Sequence, residues 1–220
     1  MQTIRQIIWD WNGTLLDDAA CCVETINCMS QARGLQQIDL IEYRQLFQFP
    51  VHQFYTALGY DLANEDWDRL ADEYHACYRQ ATTHATLRTG ALALVQRLHT
   101  NRCPQAVLSA CEQNLLLAML KRFEISGFFQ PVIGADNMDG ASKESLATRL
   151  QQQLAWPPDA MLMIGDTDHD AHVAQLMGWQ CVLLADGYQA TELLLATGAP
   201  VCASYTDLIA KLRSDWHLNL

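Results

Sequence analysis

Lysine is scarce in this chain, and its scarcity limits the partners that the protein can bind. Only Lys121, Lys143 and Lys211 are present among 220 residues, and the formal net charge is -11. No run or patch of basic residues is visible, which argues against binding of nucleic acid. An anionic ligand would therefore have to be held locally, by backbone N–H groups, a few cations or a metal ion, against an unfavourable overall field.

Other absences indicate the environment that we expect for the chain. None of the eight cysteines forms a Cys-x-x-Cys pair, and their spacing matches no zinc site. No apolar run reaches the length that spans a bilayer, and the first predicted strand begins too close to Met1 to leave room for a signal peptide. We therefore expect a reduced, cytoplasmic protein with no membrane partner, either a monomer or a homodimer.

One short stretch near the N-terminus contains the first candidate site. Ile7, Ile8 and Trp9 predict a buried strand, Asp10 follows at its end, and Gly13 indicates a loop that turns tightly. A carboxylate at the C-terminal end of a buried parallel strand lies where open α/β sheets bind their ligands. Asp10 could be a nucleophile or a metal ligand there. Taken alone, the stretch is equally typical of a strand end whose Asp and Asn only shape a turn.

The sequence pattern changes twice along the chain and predicts two domains. Residues 17–87 show helical spacing of apolar residues and no convincing strand, whereas predicted strands and helices alternate from residue 88 onwards. Such alternation predicts a parallel sheet with helices on both faces. We therefore predict an α/β fold, with a doubly wound parallel sheet formed by residues 1–16 and 88–220 and an all-helical insertion over residues 17–87.

Later candidate residues lie at predicted strand ends and helix starts. Ser109 and Asp166 each follow a predicted strand, Lys143 begins a predicted helix, and Asp170 lies four residues beyond Asp166. In a doubly wound sheet these positions meet at the same edge as Asp10. Each residue alone is more often a helix cap, a solvated residue or part of a turn, but their occurrence together in this order favours a site.

These residue types suit phosphoryl chemistry at a metal ion. Asp10 and Asp166, with the backbone carbonyl of Asn12, can hold Mg2+, and Asp170 can hold one of its water ligands. Lys143 offers a point charge to a phosphoryl oxygen, and Asp10 can attack phosphorus to form an aspartyl-phosphate.

Further contacts to a phosphorylated substrate are predicted from the same loop, from a strand end and from the insertion. The N–H groups of Trp11, Asn12 and Gly13, together with the hydroxyl of Ser109, can donate to phosphoryl oxygens. Arg44 is the candidate contact to an anionic group elsewhere on the substrate.

Aromatic and histidine residues near these candidates have simpler interpretations. Trp67, Tyr74 and Tyr78 recur at helical spacing, and we interpret them as packing inside the insertion. His169 and His172 lie three residues apart, but beside a carboxylate-rich magnesium site we expect no second metal.

The order and spacing of the candidate residues resemble the haloacid dehalogenase superfamily. Residues 10–14, Ser109, Lys143 and residues 165–170 are similar to its four motifs, and the closest similarity is to phosphoglycolate phosphatase-like members with a helical cap. The resemblance implies a Mg2+-dependent phosphatase in which Asp10 is the nucleophile. It also implies that the insertion is a cap that selects a small phosphorylated substrate.

One residue departs from that family's pattern. Its phosphatases usually carry a second Asp two residues after the nucleophile, which protonates the leaving group and then activates water, and here that residue is Asn12. Such groups contribute about 10²–10⁴-fold, so we predict slow turnover unless the leaving group is good or another residue substitutes. Asp168 and His169 are nearby candidates, although exposed loop residues are the commoner interpretation. The alternative function is a phosphate-binding or regulatory protein with little turnover.

The same features weigh against other branches of the superfamily. Asn12 argues against a phosphomutase, which needs the acid/base Asp, and residues 17–87 contain no lysine for the Schiff base of the phosphonate-cleaving branch. The Asp166 and Asp170 pair favours metal-dependent phosphoryl transfer over dehalogenation, which needs no metal.

Overall fold

The computed structural model describes residues 4–136, 143–218 and 220, within which a parallel sheet and a helical insertion are formed. The strands are β1 Gln6–Trp9, β2 Leu16–Asp17, β3 Thr86–Leu87, β4 Gln105–Glu112, β5 Val132–Ala135, β6 Met161–Gly165, β7 Gln180–Leu184 and β8 Val201–Cys202. The helices are α1 Ala19–Ala32, α2 Leu40–Leu46, α3 Val51–Ala57, α4 Trp67–Ala81, α5 Ala91–Thr100, α6 Gln113–Arg122, α7 Lys143–Gln153, α8 Asp168–Met177, α9 Thr191–Ala196 and α10 Tyr205–Ser214.

The main sheet has six parallel strands in the order β5-β4-β1-β6-β7-β8. Strand β1 lies in the middle, between β4 and β6, and all four of its residues are buried. Strands and helices alternate from β3 onwards, so each parallel strand is reached through a helix. The predicted doubly wound α/β sheet is confirmed.

The two faces of the sheet are covered by separate apolar clusters because successive strand residues point to opposite sides. Ile7 and Trp9 face a cluster that continues into the helical insertion. Ile8 faces a second cluster with Met163 of β6, against α7 and α8. Every one of these side chains is fully buried, which fixes the register of the central strands and therefore the position of their C-terminal ends.

Helices α1–α4 lie between β2 and β3, and we call them the helical insert. Strands β2 and β3 pair antiparallel at its root, with Leu16 opposite Leu87 and Asp17 opposite Thr86. The prediction of no strand within residues 17–87 was therefore wrong at both ends of that range. Strands of two residues are too short to produce a visible alternation of apolar and polar side chains.

Strand β4 is longer than predicted. The sequence placed its end before Ser109, whereas the strand continues to Glu112, with irregular pairing to β5 between Leu108 and Glu112. Ser109 thus lies where regular pairing is interrupted rather than where the strand stops. The sequence pattern also predicts a helix that begins at Ser142, after Gly140, and both of these residues lie outside the described residues.

A membrane-spanning helix is not found in the described part of the chain, where none of the helices is both long and apolar enough.

The buried cluster on β6 should dominate the stability of the sheet. Leu162 is 0% exposed and Leu195 is 60% exposed, so the same substitution at both residues separates core packing from a general leucine effect. We expect Leu162→Ala to lower the free energy of unfolding by about 2–5 kcal/mol and Leu195→Ala to change it by less than about 0.5 kcal/mol, as measured by urea denaturation. Similar losses in both variants would contradict this packing.

Candidate functional site

Four charged side chains meet at the C-terminal edge of the sheet. Asp10 follows β1, Asp166 follows β6, Asp170 lies in the first turn of α8, and Lys143 begins α7. All four are buried. Lys143 Nζ lies 2.5 Å from Asp10 Oδ1 and 2.5 Å from Asp170 Oδ1. The structure thus brings together the carboxylates and the lysine that the sequence predicted at one edge.

Asp166 is oriented by short hydrogen bonds and by the absence of neighbouring side chains. Thr14 Oγ1 donates to its Oδ1 at 2.6 Å, and the N–H of Tyr188 donates to its Oδ2 at 2.7 Å. A Cβ atom on Gly13 or Gly187 would lie 2.2 Å from Oδ2. Gly13 also has a φ of +72°, so both the space and the backbone conformation require glycine there.

Asp170 is held by the start of its own helix. Its Oδ2 accepts hydrogen bonds from the N–H groups of Asp166 (3.1 Å) and Thr167 (3.0 Å) and from Thr167 Oγ1 (2.8 Å). Thr167 is in turn the N-cap of α8 and forms a capping box with Asp170. The helix start therefore occupies one carboxylate oxygen and leaves the other for Lys143.

One buried lysine does not balance three buried carboxylates. Burial is the largest influence on Asp10 and raises its pKa to about 7, with Lys143 opposing the rise and Asp170 adding to it. Burial, then Asp10 and Asp170, raise the pKa of Asp166 well above its usual value. Burial disfavours the charges of Asp170 and Lys143 as well. Attraction to Lys143 nevertheless keeps the pKa of Asp170 below the ordinary value, and attraction to Asp10 and then to Asp170 keeps the pKa of Lys143 above it.

The donor set fits a divalent cation. One oxygen atom from each of Asp10, Asp166 and Asp170 can be chosen so that all lie within 4.8 Å of one another. Carboxylate oxygens are the ligands that Mg2+ prefers, and a charge of +2 would offset the excess negative charge of the cluster.

The side-chain amide of Asn12 has a fixed orientation. Its Nδ2 donates to Asp18 Oδ2 at 2.8 Å and to the hydroxyl of Tyr78 at 2.7 Å, so both amide hydrogens are used. Its Oδ1 accepts from Ser109 Oγ at 3.4 Å. Asn12 therefore presents a carbonyl oxygen, not a donor, on the side of Ser109.

Asp18 was not predicted as a site residue. It occupies the N-cap position of α1 but makes no side-chain cap there. Its fully buried carboxylate instead accepts from the hydroxyls of Tyr78 (2.5 Å) and Tyr188 (2.7 Å), as well as from Asn12. Burial raises the pKa of Asp18, and these hydrogen bonds oppose the rise. A helix start of two consecutive aspartates gives no sign of which one turns inward.

The same carboxylate changes the expected set of phosphoryl donors. The N–H of Gly13 donates to Asp18 Oδ1 at 2.8 Å, so the predicted contact from Gly13 to a phosphoryl oxygen would require this hydrogen bond to break. The N–H of Trp11 is directed to the Asp10 carboxylate. The indole of Trp11 lies in the core, where its Nε1 donates to Met119 Sδ at 3.4 Å.

The guanidinium of Arg44 does not lie where the sequence predicts a contact with an anionic group of the substrate. Its Nη2 donates to the carbonyl oxygen of Asp186 at 2.6 Å, and its Nε donates to that of Gly187 at 2.9 Å. Arg44 thus ties the end of α2 to the loop that follows β7, and it is not among the described residues that line the cavity above Asp10. This arrangement offers no support for the predicted contact of Arg44 with the substrate.

A cavity of about 190 Å³ lies above Asp10, between the sheet edge and the helical insert. Its polar floor contains Asp10, Asn12, Ser109 and Thr167. Its walls are largely aromatic and come from the insert, with Tyr43, Phe47, Phe54, Trp67, Tyr74 and Tyr78 among them. We call it the aromatic cavity. Trp67, Tyr74 and Tyr78 therefore face the site as well as packing within the insert, which their helical spacing alone did not reveal.

The residues suggested as substitutes for the acid/base Asp lie beside this cavity rather than in it. His169 stacks on Phe49 with ring centroids 4.6 Å apart, and burial lowers its pKa. Asp168 Oδ1 accepts from Gln189 Nε2 at 2.8 Å. Neither residue is among the described cavity-lining residues, so the structure offers no support for either as a proton donor to the substrate.

Comparison with known proteins assigns the family. A family model described as haloacid dehalogenase-like hydrolase matches residues 7–184, which include the whole of the carboxylate cluster. The chain belongs to this hydrolase family. The resemblance predicted from the sequence motifs is confirmed.

Individual relatives and solved structures agree with the assignment. The chain is 27% identical over 208 residues to a phosphoglycolate phosphatase of Rhodobacter capsulatus, covering 93% of each chain. It is 24% identical over 193 residues to a phosphoglycolate phosphatase of Synechococcus elongatus, covering 88% and 89% of the two chains. A haloacid dehalogenase-like hydrolase structure from Streptococcus pneumoniae superposes with a TM-score of 0.81 at 19% identity, covering 95% and 98%, and shows the same fold.

Binding of Mg2+ to the metal-free protein should weaken as the pH falls below about 7. In that range Asp10 takes up a proton that the cation must displace, so affinity drops by up to about tenfold per pH unit and binding releases a proton. Calorimetric titrations between about pH 6 and pH 8, in buffers of different ionisation enthalpy, measure both effects. An affinity that does not change over this range would contradict the raised pKa of Asp10.

Aspartate in place of Asn12 should be poorly tolerated while Asp18 is present. The new carboxylate would stand where Asn12 Nδ2 now lies, 2.8 Å from Asp18 Oδ2. Two carboxylates this close share a raised pKa, and stability falls as the pH rises through it because the unfolded chain loses the proton first. We expect Asn12→Asp to lower the free energy of unfolding by about 1–3 kcal/mol near pH 8 and by less near pH 5, as measured by urea denaturation.

The matched control exchanges the two side chains. The double variant Asn12→Asp/Asp18→Asn keeps one carboxylate and one amide at the pair, with the hydrogen bond reversed. It should recover the stability to within about 1 kcal/mol and lose the added pH dependence. Equal losses in the single and double variants at both pH values would show that the two positions are not coupled.

Proposed function

We propose that the protein is a Mg2+-dependent phosphatase that hydrolyses a small phosphorylated metabolite through an aspartyl-phosphate on Asp10. The observation that supports it most is the contact of Lys143 with Asp10, at 2.5 Å, where Asp10 forms part of the floor of the aromatic cavity. A nucleophilic carboxylate beside a buried ammonium is suited to attack an anionic phosphoryl group, whose charge would otherwise repel it. Membership of the hydrolase family and similarity to phosphoglycolate phosphatases support the same reaction.

In the first half-reaction, a carboxylate oxygen of Asp10 attacks phosphorus and the bond from phosphorus to the leaving oxygen breaks. Lys143 and Ser109 donate to the phosphoryl oxygens, as does the N–H of Trp11, which is already directed at Asp10. Asp10, Asp166 and the backbone carbonyl of Asn12 would hold Mg2+, with Asp170 binding one of its waters. When bound, the cation would supply positive charge to the phosphoryl group.

In the second half-reaction, water attacks phosphorus, phosphate departs and the Asp10 carboxylate is regenerated. Asn12 can orient the water through its carbonyl oxygen, but it cannot accept the proton, which must pass to the phosphate group or to solvent. We therefore propose that turnover is slow for substrates whose leaving group requires a proton, since positioned acids and bases contribute about 10²–10⁴-fold.

A phosphate-binding or regulatory role is the second candidate, and Asn12 is the observation that favours it. Loss of the proton-transfer group lowers turnover without removing Lys143 or the carboxylate cluster. The close contacts of Lys143 with Asp10 and Asp170 hold a carboxylate that can act as a nucleophile, Asp10, at the centre of the site. Because phosphate binding alone does not require a nucleophile there, these contacts favour the enzyme.

Removal of the Asp10 carboxylate should abolish catalysis. We expect Asp10→Asn to reduce Mg2+-dependent phosphate release from p-nitrophenyl phosphate and acetyl phosphate by at least about 10³-fold, because no covalent intermediate can form. The control is Asp72→Asn, the same substitution at an exposed residue of α4, which should leave the rate unchanged. Activity that survives Asp10→Asn would refute the nucleophile. A wild type that binds phosphate but releases none from either compound would favour the binding protein.

A further inference from the structure

The aromatic cavity has the size of a single ring. Its volume is about 190 Å³, and an apolar cavity of about 150 Å³ in another protein binds benzene. The cavity opens directly onto Asp10, so a group placed in it is the part of the substrate attached to the phosphoryl group. Walls that are mostly aromatic and aliphatic favour an apolar group through removal of its surface from water.

The cavity contains no arginine or lysine to pair with a second anionic group. No such side chain is among the described residues that line it, and the undescribed residues 1–3, 137–142 and 219 contain neither type. His75 is the one histidine among the described lining residues. A substrate carboxylate would therefore be buried without an arginine or lysine partner, which is costly.

The arginine side chains of the helical insert are not directed into the aromatic cavity. Arg33 pairs with Glu65 at 2.6 Å and with Glu73 at 2.8 Å. Arg44 is bound to the carbonyl oxygens beyond β7, and the two remaining arginines of the insert, at positions 69 and 79, are exposed. Lys143 is held between Asp10 and Asp170, where it serves the phosphoryl group in the proposed mechanism.

The Asn12 amide also limits which leaving groups can depart, and this limit does not depend on the cavity walls. Both hydrogens of Asn12 Nδ2 are donated to Asp18 and Tyr78, and its Oδ1 has no proton to give. Asp18 is fully buried and does not belong to the described lining, so its carboxylate does not reach the substrate. A leaving group at this site must therefore depart without a proton from either residue. A phenol, with a pKa of about 10, does so far more readily than an alkyl alcohol.

We propose that the substrate is an aryl phosphomonoester, in which the phosphoryl group is joined to a small, uncharged aromatic alcohol. The inference rests on the proposed phosphatase function and specifies its substrate class. Asp10 forms a bond to phosphorus, the bond from phosphorus to the aryl oxygen breaks, and the phenoxide leaves with the electron pair. The phenoxide takes a proton from solvent on release. Water then cleaves the aspartyl-phosphate, so one water is consumed and one phosphate is released for each phenol.

Four compounds test the two requirements separately. Phenyl and cyclohexyl phosphate have rings of similar size and differ in the leaving group. Phenyl and 4-carboxyphenyl phosphate share a phenolic leaving group and differ in charge. 2-Phosphoglycolate has both an alkyl leaving group and a carboxylate. We expect kcat/KM for phenyl phosphate to exceed that for cyclohexyl phosphate by at least about 100-fold and that for 4-carboxyphenyl phosphate by at least about 10-fold.

Two variants check that these ratios arise from the named residues. Trp67 lines the cavity and is partly exposed, so Trp67→Arg adds a cation that remains partly hydrated, and Trp67→Met is its uncharged control. The ratio of kcat/KM for phenyl phosphate to kcat/KM for 4-carboxyphenyl phosphate should be about 10-fold smaller in Trp67→Arg than in Trp67→Met. The exchanged variant Asn12→Asp/Asp18→Asn should narrow the phenyl-to-cyclohexyl ratio by at least about 10-fold, because an acid then faces the leaving group.

The outcomes distinguish this inference from the function on which it rests. If 2-phosphoglycolate or cyclohexyl phosphate is hydrolysed as well as phenyl phosphate, and Asp10→Asn abolishes that activity, the phosphatase stands and the aryl preference is overturned. If acetyl phosphate is hydrolysed in the presence of Mg2+ but none of the four compounds is, the phosphatase stands and the aryl substrate class is overturned. If the four compounds, p-nitrophenyl phosphate and acetyl phosphate all remain intact, the phosphatase function is overturned and the substrate class with it.

Discussion

The contact of Lys143 with Asp10 and Asp170 is the interaction on which the rest of the site depends. A buried ammonium is stable only with negative partners, and the two carboxylates are stable only with a positive one. Lys143 begins α7, Asp10 follows β1 and Asp170 lies in the first turn of α8. Their pairing therefore fixes the starts of α7 and α8 against the C-terminal end of β1. Asp166 then adds a further negative charge, which favours a divalent cation at this edge.

A second set of contacts joins the helical insert to that edge. Asp18, at the start of α1, receives hydrogen bonds from Asn12 in the loop after β1, from Tyr78 in α4 and from Tyr188 beyond β7. The N–H of Tyr188 also contacts Asp166. A displacement of α4 would remove a hydrogen bond from Asp18 and one from Asn12. The position of the insert and the orientation of the Asn12 amide are therefore coupled, both directly through Tyr78 and through the buried carboxylate of Asp18.

The sequence was sufficient to predict the sheet and the positions of the charged residues at its edge, because both follow from general rules. Buried strands that alternate with helices lie parallel, and their C-terminal ends converge, so Asp10, Asp166 and Lys143 could be placed together before any contact was known. Asp18 and Tyr78 could not be placed in the same way. Their backbone positions are ordinary helix positions, and only tertiary partners decide that their polar groups turn towards Asn12. The partners of Arg44 could not be predicted either, because the carbonyl oxygens that it binds belong to a loop 142 and 143 residues further along the chain.

The acidic group expected beside the nucleophile is displaced in this chain rather than absent. Asp18 places a carboxylate 2.8 Å from the amide of Asn12, but this carboxylate is fully buried, is not among the described cavity-lining residues and accepts from hydroxyl and N–H donors. A carboxylate in that position orients the amide and cannot exchange a proton with a leaving group in the cavity. Loss of proton transfer would penalise alkyl esters most, and the same cavity excludes the charged groups that small alkyl phosphates commonly carry. The residues at the reacting end therefore favour an aryl ester through its leaving group, and the described cavity walls favour an uncharged ring because they offer no arginine or lysine.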